Sequence, residues 1–83
     1  MMGASGDAAG LGRPLASVPE GEQVRLGAVE AAAGLRARLA AMGLVPGVQV
    51  RVMRNSGSGP VVVEVKGTRL ALGRGMAVRI RAE

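Results

Sequence analysis

Ten of the eleven basic residues of this chain are arginines, and they hold most of the chemistry it has to offer. Three pairs stand out by spacing: Arg36 with Arg38, Arg51 with Arg54, and Arg79 with Arg81. A guanidinium makes two parallel hydrogen bonds to a carboxylate or a phosphate, so such pairs suit an acidic or phosphate-bearing partner. The same residues also keep a small valine-rich domain soluble, and their spacing fits either use. No single arginine is marked out as a finger directed at a nucleotide held by a partner.

Catalysis lacks its reagents. The chain has no His and no Cys. That removes the commonest general base, the commonest transition-metal ligand, and any thiolate site or disulfide. Ser5, Ser17, Ser56 and Ser58 fall in segments that read as tail, turn and loop, with no base beside them. Gly57-Ser58-Gly59 is followed by Pro60 and a strand pattern, not by the lysine and helix of a phosphate cradle. Glu20 and Glu22 sit beside Pro19 and Gly21, which reads as a solvated turn and not a metal site. The expectation is a protein that is no enzyme and holds no cofactor.

The arginine pairs need elements to carry them. Leu35, Leu39 and Met42 recur at i, i+4 and i+7, one face of a short helix that turns Arg36 and Arg38 to water. Gly43 stands where a helix ends in a left-handed residue, with Leu44 placed to touch Leu39. Pro46-Gly47 then fits a type II turn. Met42, Leu44 and Val45 form a second candidate contact group, since methionine adapts to binding surfaces. The competing reading is core: Met42 continues the buried stripe and Leu44 completes the helix stop.

Alternation predicts five strands: Gln23 to Glu30, Val48 to Arg54, Val61 to Lys66, Thr68 to Leu72, and Met76 to Arg81. Val24, Leu26 and Ala28 face inward in the first, and Met76, Val78 and Ile80 in the last. Arg51 and Arg54, with Arg79 and Arg81, face outward. Residues 1–13 read as a disordered tail before a domain spanning 14–83. Leu15 and Val18 suggest one helical turn, Asn55 to Gly59 a mobile loop, and Gly73-Arg74-Gly75 a loose turn. Five short strands, each with one apolar face, close most readily into a small barrel with the helix inserted after the first.

The bulk properties bound the rest. One domain is the limit for 83 residues, and its core must be aliphatic because there is no Phe, Tyr or Trp. The net charge of +5 favours an acidic partner, a phosphate-bearing one or an anionic lipid head group. Val61 to Val63, bounded by Pro60 and Glu64, is far too short to cross a bilayer, and the start of the chain lacks a secretory pattern. A cytoplasmic location is expected, with no direct membrane insertion.

Several stretches together resemble the FeoA family of ferrous iron transport accessory proteins. They are Leu15 to Gly21, Leu35 to Gly47, the alternating Val48 to Arg54, the hairpin Glu64 to Leu72, and Ala77 to Ile80. Met42-Gly43-Leu44-Val45-Pro46-Gly47 is the specific part. The resemblance implies a mainly β, SH3-like five-stranded barrel with one inserted short helix. It also implies a partner, the membrane ferrous iron transporter FeoB, met through its cytosolic portion. The surface residues for such docking are Arg36, Arg38, Met42, Leu44, Arg51 and Arg54. A basic small barrel that binds nucleic acid is one alternative, but single-strand binders stack bases on aromatics and this chain has none. No nucleic acid is therefore expected. A freestanding regulatory module, in the manner of the C-terminal domains of metal-dependent repressors, is another.

Overall fold

The computed structural model describes residues 12–83. Strand β1 (Arg13–Pro14) leads into a single 3₁₀ turn (Leu15–Ser17), then β2 (Gln23–Val29) and helix α1 (Ala33–Ala41). Strands β3 (Gln49–Arg54), β4 (Val61–Val65) and β5 (Thr68–Leu72) form a meander. A one-turn helix α2 (Arg74–Ala77) and strand β6 (Ile80–Ala82) complete the chain. The strands make one antiparallel sheet in the order β1-β6-β2-β3-β4-β5. It curls to a roughly barrel-like shape without a ladder between β5 and β1, so the closed barrel expected from the sequence is corrected to an open one.

The core is aliphatic throughout. Leu15, Val18, Leu26, Val52, Val61, Val63 and Ile80 are fully enclosed, and no polar side chain is buried among the described residues. Each methylene removed from water contributes about 0.8 kcal/mol, so many small side chains replace the missing aromatic anchor.

The helix stop forms as its residues predict. The Leu44 N–H donates to Leu39 O at 2.9 Å and the Gly43 N–H to Ala40 O at 2.9 Å, with Gly43 at φ +93°. These are the two bonds of a Schellman motif. The Val48 N–H then donates to Val45 O at 3.2 Å around Pro46-Gly47, closing the type II turn. Gly47 N–H to Leu26 O (2.7 Å) and Leu26 N–H to Val48 O (2.8 Å) tie this segment to β2.

Several expectations change. The sheet has six strands, because Arg13 and Pro14 pair with Ala82 and Arg81. Two residues are too few to alternate, so β1 left no pattern. Arg13 thus belongs to the sheet, and residues 1–11 of the expected tail lie outside the described residues. In β2 the pairing jumps from Leu26↔Ala82 to Val29↔Ile80, setting both Gly27 and Ala28 opposite Arg81. This bulge reverses the phase, so Ala28 is exposed and not inward. Met42 is 43% exposed and does not extend the buried stripe. The helix has already passed into its C-cap at Met42, and the chain turns away there.

The last expected strand is the largest correction. Arg74 to Ala77 is helical, with the Ala77 N–H on Gly73 O at 2.9 Å, and only Ile80–Ala82 is strand. Ala77 is enclosed and Val78 is 45% exposed, the opposite of the alternating assignment. Five residues are too few for a period of 3.6 to separate from one of 2. Tertiary contacts decide instead. The Arg74 guanidinium donates to Gly59 O (3.0 Å), Ala16 O (3.2 Å) and the Asn55 side-chain Oδ1 (2.6 Å). Asn55 Nδ2 donates to Ala16 O (2.8 Å) and Val18 O (2.9 Å), and its backbone N–H to Glu20 Oε2 (2.7 Å). The loop and the turn that read as loose are therefore pinned at one corner.

Candidate docking surface

Helix α1 is held to the body by little more than Leu39, its one buried side chain, with Leu35 half-buried beside it. Ala33, Ala37 and Ala40 recur at helical spacing on an exposed face. Across from them lie Ala28 and Val29, at the bulged end of β2. Leu44, Val45 and Pro46 close the groove below the helix stop. The result is an open, largely apolar groove of about 420 Å³, and Arg36 is its one charged lining residue. Val45 is 38% exposed there, while Leu44 supplies floor from the core.

Charge around the groove is uneven. Glu30 follows the groove strand, but Arg81 engages it through Nε to Oε2 at 3.2 Å and Nη2 to Oε1 at 3.1 Å. That hydrogen bonding, and then the charge of Arg81, holds the Glu30 carboxyl below its ordinary pKa and raises that of Arg81. Arg36 and Arg38 make no ion pair among the described residues. The first turn of α1 holds no acid and no side-chain cap, so nothing offsets the positive end of the helix dipole there.

A second basic face covers the outside of the sheet. Gln23, Arg51, Glu64 and Arg69 stand in register across β2, β3, β4 and β5, with Arg25 opposite Gln49 in the next rung. Arg69 and Glu64 pair loosely at 4.0 Å. Residues three apart on a regular strand point to opposite faces. The pairing of β3 with β4 shifts between Val52 and Arg54, which puts an extra residue at Met53 and leaves both Arg51 and Arg54 exposed.

Of the six residues picked from the sequence, the groove brings together Arg36 and Leu44. Arg38 and Met42 are exposed on and just after α1, and Arg51 and Arg54 lie on β3. Leu44 is 1% exposed, so it reaches a partner only through the groove floor. Sequence reasoning missed the alanines. Their signal is the repeat at 33, 37 and 40, but small side chains read as neutral helix filler. Among the described residues no His, Cys, Asp or Glu cluster could hold a metal ion, and no helix is long and apolar enough to cross a membrane.

The FeoA domain family model matches residues 13–83, all but the first twelve residues of the chain. The chain belongs to the FeoA family. A curated relative from Methanocaldococcus jannaschii is 41% identical over 70 residues, covering 84% of each chain, and carries the provisional designation Fe(2+) transport protein A. A crystal structure described as an iron uptake regulatory protein, FeoA, superimposes with a TM-score of 0.79 at 30% identity. That match covers 84% of this chain and 93% of the other. FeoA of Stenotrophomonas maltophilia, crystallised with zinc and described as a prokaryotic SH3 domain protein, matches at TM-score 0.71 and 30% identity. It covers 83% of this chain and 87% of its own. The SH3-like architecture expected from the sequence is thus present, with six strands in place of five. FeoA proteins are transport accessory proteins associated with ferrous iron, and the family is not known for catalysis.

Proposed function

We propose that this FeoA-family chain is a cytoplasmic accessory protein of ferrous iron uptake that docks on the cytosolic portion of the transporter FeoB. The observation that carries the reading is the open apolar groove lined by Arg36, which makes no ion pair among the described residues, on a chain without His or Cys. Docking needs an exposed apolar centre with a polar rim, and the groove with Arg36 and Arg38 has that composition. Arginine adds bidentate recognition of carboxylates at such a rim. The net charge of +5 speeds encounter with an acidic surface and makes the rate sensitive to salt.

The test is an amide NMR titration of the isotope-labelled protein with the soluble GTP-binding portion of the cognate transporter, with duplex DNA at physiological salt as control. Localised shifts with the transporter and none with DNA are expected. Shifts with DNA alone would replace this reading by the nucleic-acid one. If the soluble portion gives none, full-length transporter in a lipid disc is the deciding sample, and silence there overturns the reading.

A further inference from the structure

We propose that the groove between α1 and β2 accepts an acidic amphipathic helix from the partner, with two aliphatic side chains seated over the alanines and a carboxylate on Arg36. This deepens the docking reading above and rests on it.

The walls of the groove decide the backbone of the occupant. β2 is paired with β6 out to Val29, and on its other side it is occupied by β3 and Gly47–Val48 up to Leu26, so Ala28 and Val29 leave an open stretch shorter than a strand needs. The Leu44 N–H is used by Leu39 O and the Val45 N–H by Gly43 O, and Pro46 has none. A strand laid in this groove would find little to pair with and would leave its own polar groups facing apolar walls. A helix satisfies its backbone internally and meets such walls with side chains alone.

The alanines decide the fit. Ala33 to Ala40 covers about 10 Å of helix axis, or two turns of an occupant helix. Two apolar residues four apart on the occupant then face Ala37 and Ala40, whose methyl groups permit close approach of the two axes. Larger side chains at those positions would fill the groove from within.

Charge decides the third contact. Arg36 is the one charged lining residue, and the nearby acid, Glu30, is already held by Arg81. A partner carboxylate at this end completes Arg36 without competing with an internal acid. A basic or neutral helix would bury apolar surface but leave the guanidinium unanswered.

The probe is a lactam-bridged synthetic helix with leucines at i and i+4 and a glutamate one turn further on. Its counterpart carries lysine in place of glutamate. Both are titrated against the labelled full-length chain at millimolar peptide. Shifts confined to residues 28–46, with at least tenfold weaker binding of the lysine peptide, are expected. Ala37→Arg places bulk in the groove at an exposed position that tolerates a strong helix former, and should abolish the shifts with the fold intact by circular dichroism. Arg36→Gln should remove the preference for glutamate, and Arg51→Glu with Arg54→Glu should leave the shifts in place. No shifts at millimolar peptide, shifts centred on the sheet face, or unchanged binding by Ala37→Arg would overturn the proposal. The soluble transporter portion provides the separating arm. If it binds wild type and Ala37→Arg equally, the groove is wrong and the partner stands. If it binds neither while the peptide binds wild type, the groove stands and the partner is wrong.

Discussion

The two helices of this molecule differ in what secures them beyond the core. Helix α1, nine residues long, is anchored by Leu39 and ended by backbone bonds to Gly43 and Leu44. Helix α2, four residues long, buries only the small side chain of Ala77 and is tied down in addition by Arg74, which joins three segments of chain together with Asn55. The hydrophobic anchor uses a single face of α1 and leaves the others open. The polar anchor uses three guanidinium N–H groups of Arg74 and both amide N–H groups of Asn55 within the fold. The faces left open therefore lie on α1, where the proposed docking groove is, and the corner around α2 is framework. Arg36 and Arg74 differ in one respect: the Arg74 side chain has internal acceptors and that of Arg36 has none among the described residues.

The sharpest way to break this contrast is Leu39→Ala. Removing the one buried side chain of α1 should cost about 2–5 kcal/mol, a large part of the stability of so small a domain. Urea unfolding followed by circular dichroism, the natural probe for a chain without aromatics, should show it. A loss below about 1 kcal/mol would mean that α1 is not held by Leu39.

Arg74→Ala should follow, at about 1.5–3 kcal/mol, because the charged bonds to Gly59, Ala16 and Asn55 are lost together. Asn55→Ala in the same background should add much less than it does alone, since both side chains serve one network. Full additivity in that double-mutant cycle would show that the corner is not a unit. Partner binding should be unaffected by either change once the protein is folded.

A glycine pair tests the helix boundary. At Gly43→Val the new Cβ would meet only Val65 methyls, near 3.9 Å, so the cost of about 1–3 kcal/mol comes from a β-branched residue at φ +93°. Gly34, helical with open space around it, should respond in the opposite sense. Gly34→Ala should stabilise by about 0.4–1 kcal/mol. Thermal melts should therefore move apart, by about 4–8 °C for each kcal/mol.

The smallest effect is at the exposed Glu30–Arg81 pair. Its folded carboxyl lies below the ordinary range, so the unfolded chain takes up the proton first as pH falls. The contribution of the pair is complete above the unfolded carboxylate range and disappears as pH drops through the folded value. Wild type should exceed Glu30→Gln slightly at neutral pH, and the two should converge only once the pH has fallen below the ordinary carboxylate range. A gap that widens on acidification would reverse the sign of the coupling.

Much of this molecule was legible in the sequence. The helix stop, the type II turn and four of the strands follow from local rules: glycine at positive φ, proline at a turn corner, and alternation of valines. Each rule needs only a few neighbouring residues to act. The departures share a different cause. β1 exists because Ala82 and Arg81 are there to pair with it, Ala28 turns outward because β6 is one residue short opposite the bulge, and α2 forms where Arg74 finds acceptors from Ala16 to Gly59. The groove is of the same kind. Alanines at 33, 37 and 40 are only good helix formers until β2 and the Leu44–Pro46 segment stand opposite them. Local conformational preference is a property of neighbouring residues, and so the sequence alone determined the helix stop, the turn after it and the longer strands. A cleft, a bulge phase and a shared hydrogen-bond corner each require residues distant in the chain to meet, and only the tertiary structure decided those.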